Sequence, residues 1–288
     1  MFKKLSALFL FFICIIFFLS NCNIKKDSPL NPKLLQVHYI DVNQGDSILI
    51  QVNNKNMLID SGPRESRTSL INYLKKLNIS KIDYLIATHP HEDHIGNMAY
   101  IIKNFNTKSF YAPKIQSNSK CFEEIILALK KRNLKINILD STTNSINLGE
   151  GTKLDIYTEK VNSSSTNKDI NLNNYSPLIH LDYGDTSFLF TGDLEKDGEQ
   201  SILSTNCSLK STVLKVGHHG SSSSTSENFL KSISPSLAII SVGKDNSYGH
   251  PHNETINLLT KYNIPILRTD LNGTITLYSD GKKLYKNK

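Results

Sequence analysis

The segment richest in groups that can do chemistry is His89-Pro90-His91-Glu92-Asp93-His94, which places three histidines and an aspartate within six positions. It follows directly on an apolar run, so it begins a loop where a buried strand ends. In an extended segment, His89 and His91 project to the same side and can share one ion. Asp93 and His94 lie where a helix begins, so they can turn toward a second ion. Imidazole and carboxylate ligands suit zinc, manganese or iron.

The remaining histidines show the same clustering, because seven of the nine fall into three tight groups, each behind a predicted strand. The groups are His89, His91 and His94; His218 and His219; His250 and His252. Asp193 ends another apolar strand and offers a carboxylate that could bridge two ions, and His218 or His219 could close the site. Two ions about 3.5 to 4 Å apart are a common hydrolytic arrangement that generates hydroxide from water near neutral pH.

Strands and helices must bring these groups together. Alternating or continuous apolar runs predict strands at 34–42, 47–52, 56–60, 81–88, 135–139, 153–158, 177–182, 187–191, 212–216 and 237–242. Helical spacing predicts helices around 70–77, 95–103, 123–132 and 254–261. Because strands and helices mix without a clean βαβ alternation, we expect a layered α/β (α+β) fold with at least two sheets. No shift in composition marks a second domain.

The N-terminus is typical of an export signal, with Lys3 and Lys4 before an apolar run from Leu5 to Leu19. The next residues, Ser20-Asn21-Cys22, complete a segment that resembles a bacterial lipobox, in which the cysteine is lipidated, although Asn21 stands where glycine or alanine is usual. An uncleaved signal anchor and an ordinary secretory signal are alternatives. All three place the domain outside the cytoplasm. We therefore expect an export signal at 1–21, a tether at 22–34 and a single domain at 35–288.

Composition bounds the remaining possibilities. The 288 residues are 39% hydrophobic, which suits a globular protein with a sizeable core. The net charge is +7, and losing Lys3 and Lys4 with the signal would leave about +5. This is a mild bias toward anionic partners and not in itself a nucleic-acid footprint. Cys121 and Cys207 could form a disulfide or remain free thiols, and they do not form a zinc motif.

Longer segments around the site resemble a known family. They are Asp41–Ile50, Leu58–Gly62, Phe190–Asp193, Leu214–Ser221 and Tyr248–Pro251. Together with the His89-x-His91-x-Asp93-His94 signature, they resemble the metallo-β-lactamase-fold hydrolases and, among these, the ComEC/Rec2-related branch. The resemblance runs from about Leu35 to about Leu284. It implies a four-layer αβ/βα sandwich with a cleft for two metal ions at one edge of its sheets.

The resemblance also implies roles for individual residues around two divalent ions, zinc or manganese. The implied metal ligands are His89, His91, Asp93, His94, the bridging Asp193, and His218. Asp60 would accept the second N–H of a ligand histidine and so orient it. His219 and His250 would face the cleft and hold a substrate oxyanion or protonate a leaving group. With Asp93 and Asp193, they are the expected catalytic residues.

Three features depart from the family pattern. Asn43 stands where glycine is usual in the early turn, a left-handed position that asparagine tolerates. Ser222 stands where a basic residue often follows the histidine pair. The middle histidine ligand of the family is not evident, because His180 belongs to the following strand. One ion would therefore be held by fewer protein ligands. The residues before that strand are Asn173, Asn174 and Ser176.

These features predict an exported metal-dependent hydrolase, foremost a phosphodiesterase or nuclease whose substrate is a phosphodiester such as extracellular DNA. A cell-wall phosphorylcholine esterase, a lactam or lactone hydrolase, and a non-catalytic lipid-tethered DNA-binding accessory are alternatives, because one fold serves many functions. The sequence shows no counterpart of the membrane channel of the best-known branch members. We therefore expect a stand-alone domain at the outer face of the membrane, attached through Cys22 or a signal anchor, or secreted. No protein partner is evident.

Overall fold

The computed structural model describes residues 34–159 and 171–286. The predicted export signal lies outside this part of the chain, as do residues 22–33 of the predicted tether and, among them, Cys22. All described residues belong to the unit Pro32–Lys288. Within the described ranges, no helix is both long enough and apolar enough to span a membrane.

The described strands follow one another along the chain with helices between them. They are β1 (Leu35–Tyr39), β2 (Ile48–Val52), β3 (Lys55–Ile59), β4 (Lys81–Ile86), β5 (Asn106–Ala112), β6 (Ile136–Ile138), β7 (Thr152–Tyr157), β8 (Leu178–Tyr183), β9 (Thr186–Phe190), β10 (Val213–Lys215), β11 (Leu237–Ile240), β12 (Ile266–Arg268), β13 (Ile275–Ser279) and β14 (Leu284–Lys286). The α-helices are α1 (Arg67–Lys76), α2 (Glu92–Ile95), α3 (Met98–Asn104), α4 (Lys120–Lys131), α5 (Lys196–Leu203), α6 (Glu227–Ile233), α7 (Asn253–Lys261) and α8 (Thr269–Asn272).

The strands form two sheets. The first has the order β14-β13-β1-β2-β3-β4-β5-β6, and the second has the order β12-β11-β10-β9-β8-β7. In the first sheet β3, β4, β5 and β6 are parallel, and in the second β9, β10, β11 and β12 are parallel. The turn between β2 and β3 is Asn53-Asn54, with φ values of 51° and 59°. Two such residues make the tight turn that an antiparallel hairpin requires.

Three apolar cores separate the layers. Alternate residues of β1 and β2, such as Val37 and Ile50, lie between the two sheets. On the outer face of the first sheet, Leu49 packs with residues of α1, α3 and α4. On the outer face of the second sheet, Leu214 packs with residues of α5, α6 and α7. The order helix, sheet, sheet, helix confirms the predicted four-layer αβ/βα sandwich.

The predicted strands and helices are present with small shifts at their ends, and the differences have local causes. The helix predicted at 95–103 is divided into α2 and α3 at Asn97, whose buried amide donates to the backbone oxygens of Ser61 and Pro63. Sequence reasoning missed β5, β12, β13, β14, α5, α6 and α8. Of these, β5 begins with polar residues, and α5 contains Gly198, so neither shows a clear period. Cys121 and Cys207 are both free thiols.

Candidate metal centre

The predicted site residues leave the sheets at a common edge. Asp60 follows β3, the segment from His89 follows β4, Asp193 follows β9 and His219 follows β10. Because β3 is parallel to β4 and β9 is parallel to β10, the carboxyl ends of each pair point the same way. Loops at such an edge converge on one cleft. Residues more than one hundred positions apart therefore meet here.

One carboxylate oxygen lies at the centre of the site. Oδ2 of Asp193 is 3.2 Å from Nε2 of His94, 3.5 Å from Nε2 of His219, 3.7 Å from Nε2 of His218 and 3.8 Å from Nε2 of His89. Asp193 is 1% exposed, and its other oxygen has no hydrogen-bond partner in the described part of the chain. A buried carboxylate that faces four imidazole nitrogens is suited to be shared by two metal ions.

Two sets of donor atoms flank Asp193. Nε2 of His89 and Nδ1 of His91 are 2.9 Å apart, where two lone pairs repel unless a proton or a cation lies between them. On the other side, one ligand atom each of Asp93, His94, Asp193 and His219 lies within 4.8 Å of the others.

Two nitrogen atoms of the set formed by Asp93, His94, Asp193 and His219 show whether the site fits a metal ion. Nε2 of His94 and Nε2 of His219 are buried, and within the described ranges neither has a hydrogen-bond partner. Buried polar atoms are normally satisfied, so such nitrogens facing carboxylates call for a cation. The donor set therefore fits divalent metal ions.

Hydrogen bonds on the far side of each ring orient the histidines. Nδ1 of His94 donates to Oδ2 of Asp60 at 2.8 Å, and Nδ1 of His219 donates to the backbone oxygen of Ser241 at 3.0 Å. Asp60 is itself held by the backbone N–H and hydroxyl of Thr88. Donation through Nδ1 leaves Nε2 as the atom that faces the carboxylates, which is how metal-binding histidines are usually oriented.

The electrostatics of the site also call for positive charge. Burial would raise the pKa of Asp193, but His94 and His219 hold it well below its usual range. Burial would likewise lower the pKa of His219, but Asp193, Asp93 and Asp46 raise it to about 10. The carboxylates thus keep protons on neighbouring imidazoles, and a divalent ion bound to the same atoms would replace those protons. Burial and His94 lower the pKa of His89, which leaves its imidazole neutral and able to coordinate.

A buried ion pair behind the site was not singled out from the sequence. Lys215 is 0% exposed, and its Nζ lies 2.8 Å from Oδ2 of Asp46. The other oxygen of Asp46 lies 3.6 Å from Nδ1 of His219. Lys215 therefore neutralises a buried carboxylate that lies beside the ring of His219, whose Nδ1 donates to the backbone oxygen of Ser241. The alternation of β10 marks Lys215 only as a strand residue, so its role depends on a contact with a distant loop.

The structure brings His219 rather than His218 into the four-residue cluster. Both residues have left-handed backbone conformations, with φ of 48° for His218 and 53° for His219, a strained state that is typical of functional sites. Nδ1 of His218 lies 3.3 Å from Oε1 of Glu195, and its Nε2 faces Oδ2 of Asp193 at 3.7 Å. The four-residue cluster thus contains His219, whereas the resemblance implies the adjacent His218 as the late ligand.

Ser176 and Glu195 lie in the region of the site that lacks the family's middle histidine ligand. The hydroxyl oxygen of Ser176 accepts from the backbone N–H of Asp193 at 3.1 Å and lies 3.2 Å from Nδ1 of His89. Glu195 accepts from the side-chain amide of Asn173 at 2.9 Å. Asn174 accepts from the backbone N–H of Glu195. These residues therefore position the ligands of the site and contribute no imidazole.

His250 lies beside the histidine pair, with its ring centroid 5.5 Å from that of His218 and 6.4 Å from that of His219. Burial and His219 lower the pKa of His250 to about 4, so the ring is neutral at pH 7. Nδ1 of His250 is buried and has no hydrogen-bond partner among the described residues. The ring of Tyr248 stacks on His250 at 5.7 Å, and Tyr248 is 66% exposed. An aromatic side chain thus faces solvent next to the metal-binding residues.

Two glycines allow the loops to approach closely. At Gly45, whose φ is +144°, an added Cβ would lie 2.3 Å from the backbone oxygen of Asp93. At Gly192, whose φ is +49°, a Cβ would lie 2.9 Å from the hydroxyl oxygen of Ser176. Only glycine fits these positions without displacing residues of the site. Asn43 also has a positive φ of 61°, which confirms the predicted left-handed position.

Two histidines lie apart from the centre. His38 is in β1, where its Nδ1 contacts the hydroxyls of Tyr73 and Thr276. His180 is in β8, paired across the sheet with Asp155 of β7. The sequence predicts strand positions for both, and the structure confirms this.

Comparison with known proteins agrees with the fold. A family model described as the metallo-beta-lactamase superfamily matches residues 40–244. ComE operon protein 3 of Bacillus subtilis is 34% identical over 83% of this chain and 32% of its own length. Competence protein ComA of Neisseria gonorrhoeae is 29% identical over 82% of this chain and 31% of its own length. The chain thus spans about a third of these curated relatives.

A solved structure supports the fold alone. The metallo-beta-lactamase fold protein YhfI from Bacillus subtilis superposes with a TM-score of 0.54 and 11% sequence identity. The superposition covers 88% of this chain and all of that structure. Identity this low carries no information about the reaction.

Proposed function

Because the chain belongs to the metallo-beta-lactamase superfamily, in the branch of ComE operon protein 3 and ComA, we propose that it is an exported metal-dependent phosphodiesterase that acts on nucleic acid. The observation that carries this proposal is the convergence of four imidazole nitrogens on Oδ2 of Asp193. A ligand set of this kind serves hydrolysis more readily than structure, since structural sites are closed by four ligands around one ion.

We assign the ligands by the atoms that face one another. His89 and His91 would hold one zinc or manganese ion, and Asp93, His94 and His219 would hold the other, with Asp193 shared. Such ions, when bound, act as Lewis acids on a phosphoryl oxygen and lower the pKa of a water molecule. Among these ligands Asp93 has a partly exposed side chain, so it faces the space that a substrate would enter.

Residues at the rim would act on the substrate. Because the ring of His250 is neutral at pH 7, it would donate a hydrogen bond to a phosphoryl oxygen rather than transfer a proton. The exposed ring of Tyr248 would offer a surface on which a nucleobase can stack, an interaction that tolerates any sequence. Both features suit a nucleic-acid strand better than a small lactam.

The names of the relatives support the same substrate class. One relative that matches 82% of this chain is named a competence protein, and the ComEC/Rec2-related branch is best known for DNA uptake in competent bacteria. We propose that the N-terminal signal carries the domain across the membrane and that lipidated Cys22 holds it at the outer face. The net charge of +7, which falls to about +5 when Lys3 and Lys4 are removed with the signal, adds a mild attraction for polyanions.

A substrate panel tests the proposal. Metal-free protein, reconstituted separately with zinc and manganese, is incubated with single-stranded DNA, duplex DNA, RNA, bis-p-nitrophenyl phosphate, p-nitrophenyl phosphorylcholine and nitrocefin. We expect cleavage of nucleic acid and of bis-p-nitrophenyl phosphate. In Tyr248→Ala, the rate of nucleic-acid cleavage should fall more than the rate of ester cleavage. Turnover of nitrocefin or phosphorylcholine ester alone would establish the alternative hydrolase. DNA binding without cleavage, unchanged in Asp93→Ala, would establish the non-catalytic accessory.

A further inference from the structure

A second group of metal-ligating side chains lies on the hairpin of β7 and β8. Asp155 of β7 pairs with His180 of β8 in the antiparallel register, and Asp182 follows two positions after His180, on the same face of the sheet. One ligand atom of each of these three residues lies within 4.8 Å of the other two. We call Asp155, His180 and Asp182 the hairpin cluster.

The histidine of the hairpin cluster is buried and unsatisfied. His180 is 6% exposed, and neither of its ring nitrogens has a hydrogen-bond partner among the residues that the structure describes. Its Nε2 faces Oδ1 of Asp182 at 3.6 Å, which is beyond hydrogen-bond distance. A buried imidazole without partners is unfavourable, and it is uncommon in native proteins. A ligand that accepts electron pairs from the imidazole and both carboxylates would satisfy all three groups at once.

One cation already approaches this position from the chain itself. Nζ of Lys153 lies 2.5 Å from Oδ2 of Asp155, and its side chain is largely exposed. An exposed ammonium is easily displaced, because solvent screens its attraction to the carboxylate. Lys153 therefore competes for Asp155 without closing the hairpin cluster.

We propose that the hairpin cluster binds a divalent transition-metal ion, with zinc as the cation that the ligands suit best. One imidazole and two carboxylates favour zinc, manganese or iron over magnesium and calcium, which prefer oxygen ligands. The ion would join β7, at the edge of the second sheet, to its neighbour β8. None of the three ligands belongs to the metal centre described above, so activity plays no part in the test.

Zinc binding by the purified full chain tests this site. The protein is stripped with a chelator and dialysed against zinc chloride, and bound zinc is counted by mass spectrometry. Affinity is measured by competition with a fluorescent zinc chelator. We expect Asp155→Asn and Asp182→Asn each to bind one ion fewer per chain, with affinity at this site reduced by about tenfold or more. Both carboxylates are partly exposed, so amide replacements leave the packing of the sheet intact.

Two further variants sharpen the result. Lys153→Gln removes the competing ammonium and should tighten zinc binding at the same site, the opposite direction from the carboxylate variants. Asp185→Asn, at an exposed position in the turn between β8 and β9, is the matched control and should bind zinc as the wild type does. An unchanged number of zinc ions and unchanged affinity in Asp155→Asn and Asp182→Asn would overturn the proposal, as would an equal loss in Asp185→Asn.

Discussion

At the scale of single residues, the position of one oxygen organises the candidate centre. Oδ2 of Asp193 faces the Nε2 atoms of four histidines, and each ring of the second ligand set is oriented by a partner on its far side. The residue types were predictable from the sequence, since a carboxylate that directly follows an apolar strand is a candidate metal ligand. The proposed choice of His219 over the adjacent His218 as the late ligand was not predictable from the sequence, because it depends on two left-handed backbone positions.

Asp193→Asn should abolish both metal retention and hydrolysis. The amide keeps the shape of the carboxylate but removes the negative charge between the two ligand sets, so we expect bound metal to fall and cleavage to slow by roughly 100-fold or more. Metal analysis and initial rates measure the two effects. Asp197→Asn, an exposed aspartate at the start of α5, is the control. Normal metal content and rate in Asp193→Asn would contradict the bridging role.

His219→Gln and His218→Gln separate the two candidates for the late ligand. Because Nε2 of His219 faces both Asp93 and Asp193, we expect His219→Gln to lose about one bound ion per chain. His218→Gln should keep its metal and change mainly KM, since its ring lines the cleft wall. Metal content measured beside steady-state kinetics distinguishes them, and the reverse pattern would return the ligand role to His218.

Lys215→Met tests the buried pair behind the centre. Removing the ammonium leaves Asp46 charged and buried, so the free energy of unfolding should fall by about 3 to 5 kcal/mol. Adding Asp46→Asn to Lys215→Met should recover part of that loss, because no uncompensated charge remains. Urea unfolding of the metal-free protein at pH 7 gives all four values of the cycle. Additive losses in the double variant would show that the two side chains act independently.

At the scale of elements, parallel strands and their carboxyl ends position the chemistry. The apolar runs that form β4, β9 and β10 were recognisable from the sequence, since each ends directly before a potential ligand. Strands such as β5 were not, because NTKSFYA has no clear alternation and pairs with β4 and β6 only once the sheet exists. Short strands at sheet edges, including β14, are set by their neighbours rather than by their own composition.

His38, in β1, makes the free energy of unfolding of the protein dependent on pH. Burial lowers its pKa to about 4 from 6.5, so between these values the unfolded chain binds a proton that the folded chain cannot. Stability is therefore complete above pH 6.5 and declines as pH falls toward 4, by up to about 3 kcal/mol from this residue. Urea unfolding at pH 7 and pH 4.5 should show a smaller decline for His38→Gln than for the wild type. Equal declines would place the dependence elsewhere.

At the scale of the whole molecule, two sheets with helices outside them create one edge where loops from both halves of the chain meet. The sequence predicts a layered fold and, through the resemblance, the four-layer sandwich that the structure confirms. The proposed location outside the cytoplasm concerns residues 1–33, which lie beyond the described part of the chain. That proposal therefore has its own test.

Cys22→Ser should release the protein from the membrane. If Cys22 carries the lipid, the serine variant lacks the thiol on which the lipid is built and so loses its covalent lipid anchor. We expect the wild type in the membrane fraction and the variant in the soluble or medium fraction, detected by immunoblot after cell fractionation. A variant that stays in the membrane would support the signal anchor instead.

The sequence by itself determined the ligand types, their spacing in His89-x-His91-x-Asp93-His94, and the strands that precede them, because these depend on neighbours along the chain. Only the tertiary structure decided that Asp193 lies among four imidazoles, that Lys215 neutralises Asp46, and that His180 meets Asp155 and Asp182. The physical reason is that these contacts join segments separated by many residues. Their distances depend on strand register and on the left-handed turn at His218 and His219, which local patterns do not specify.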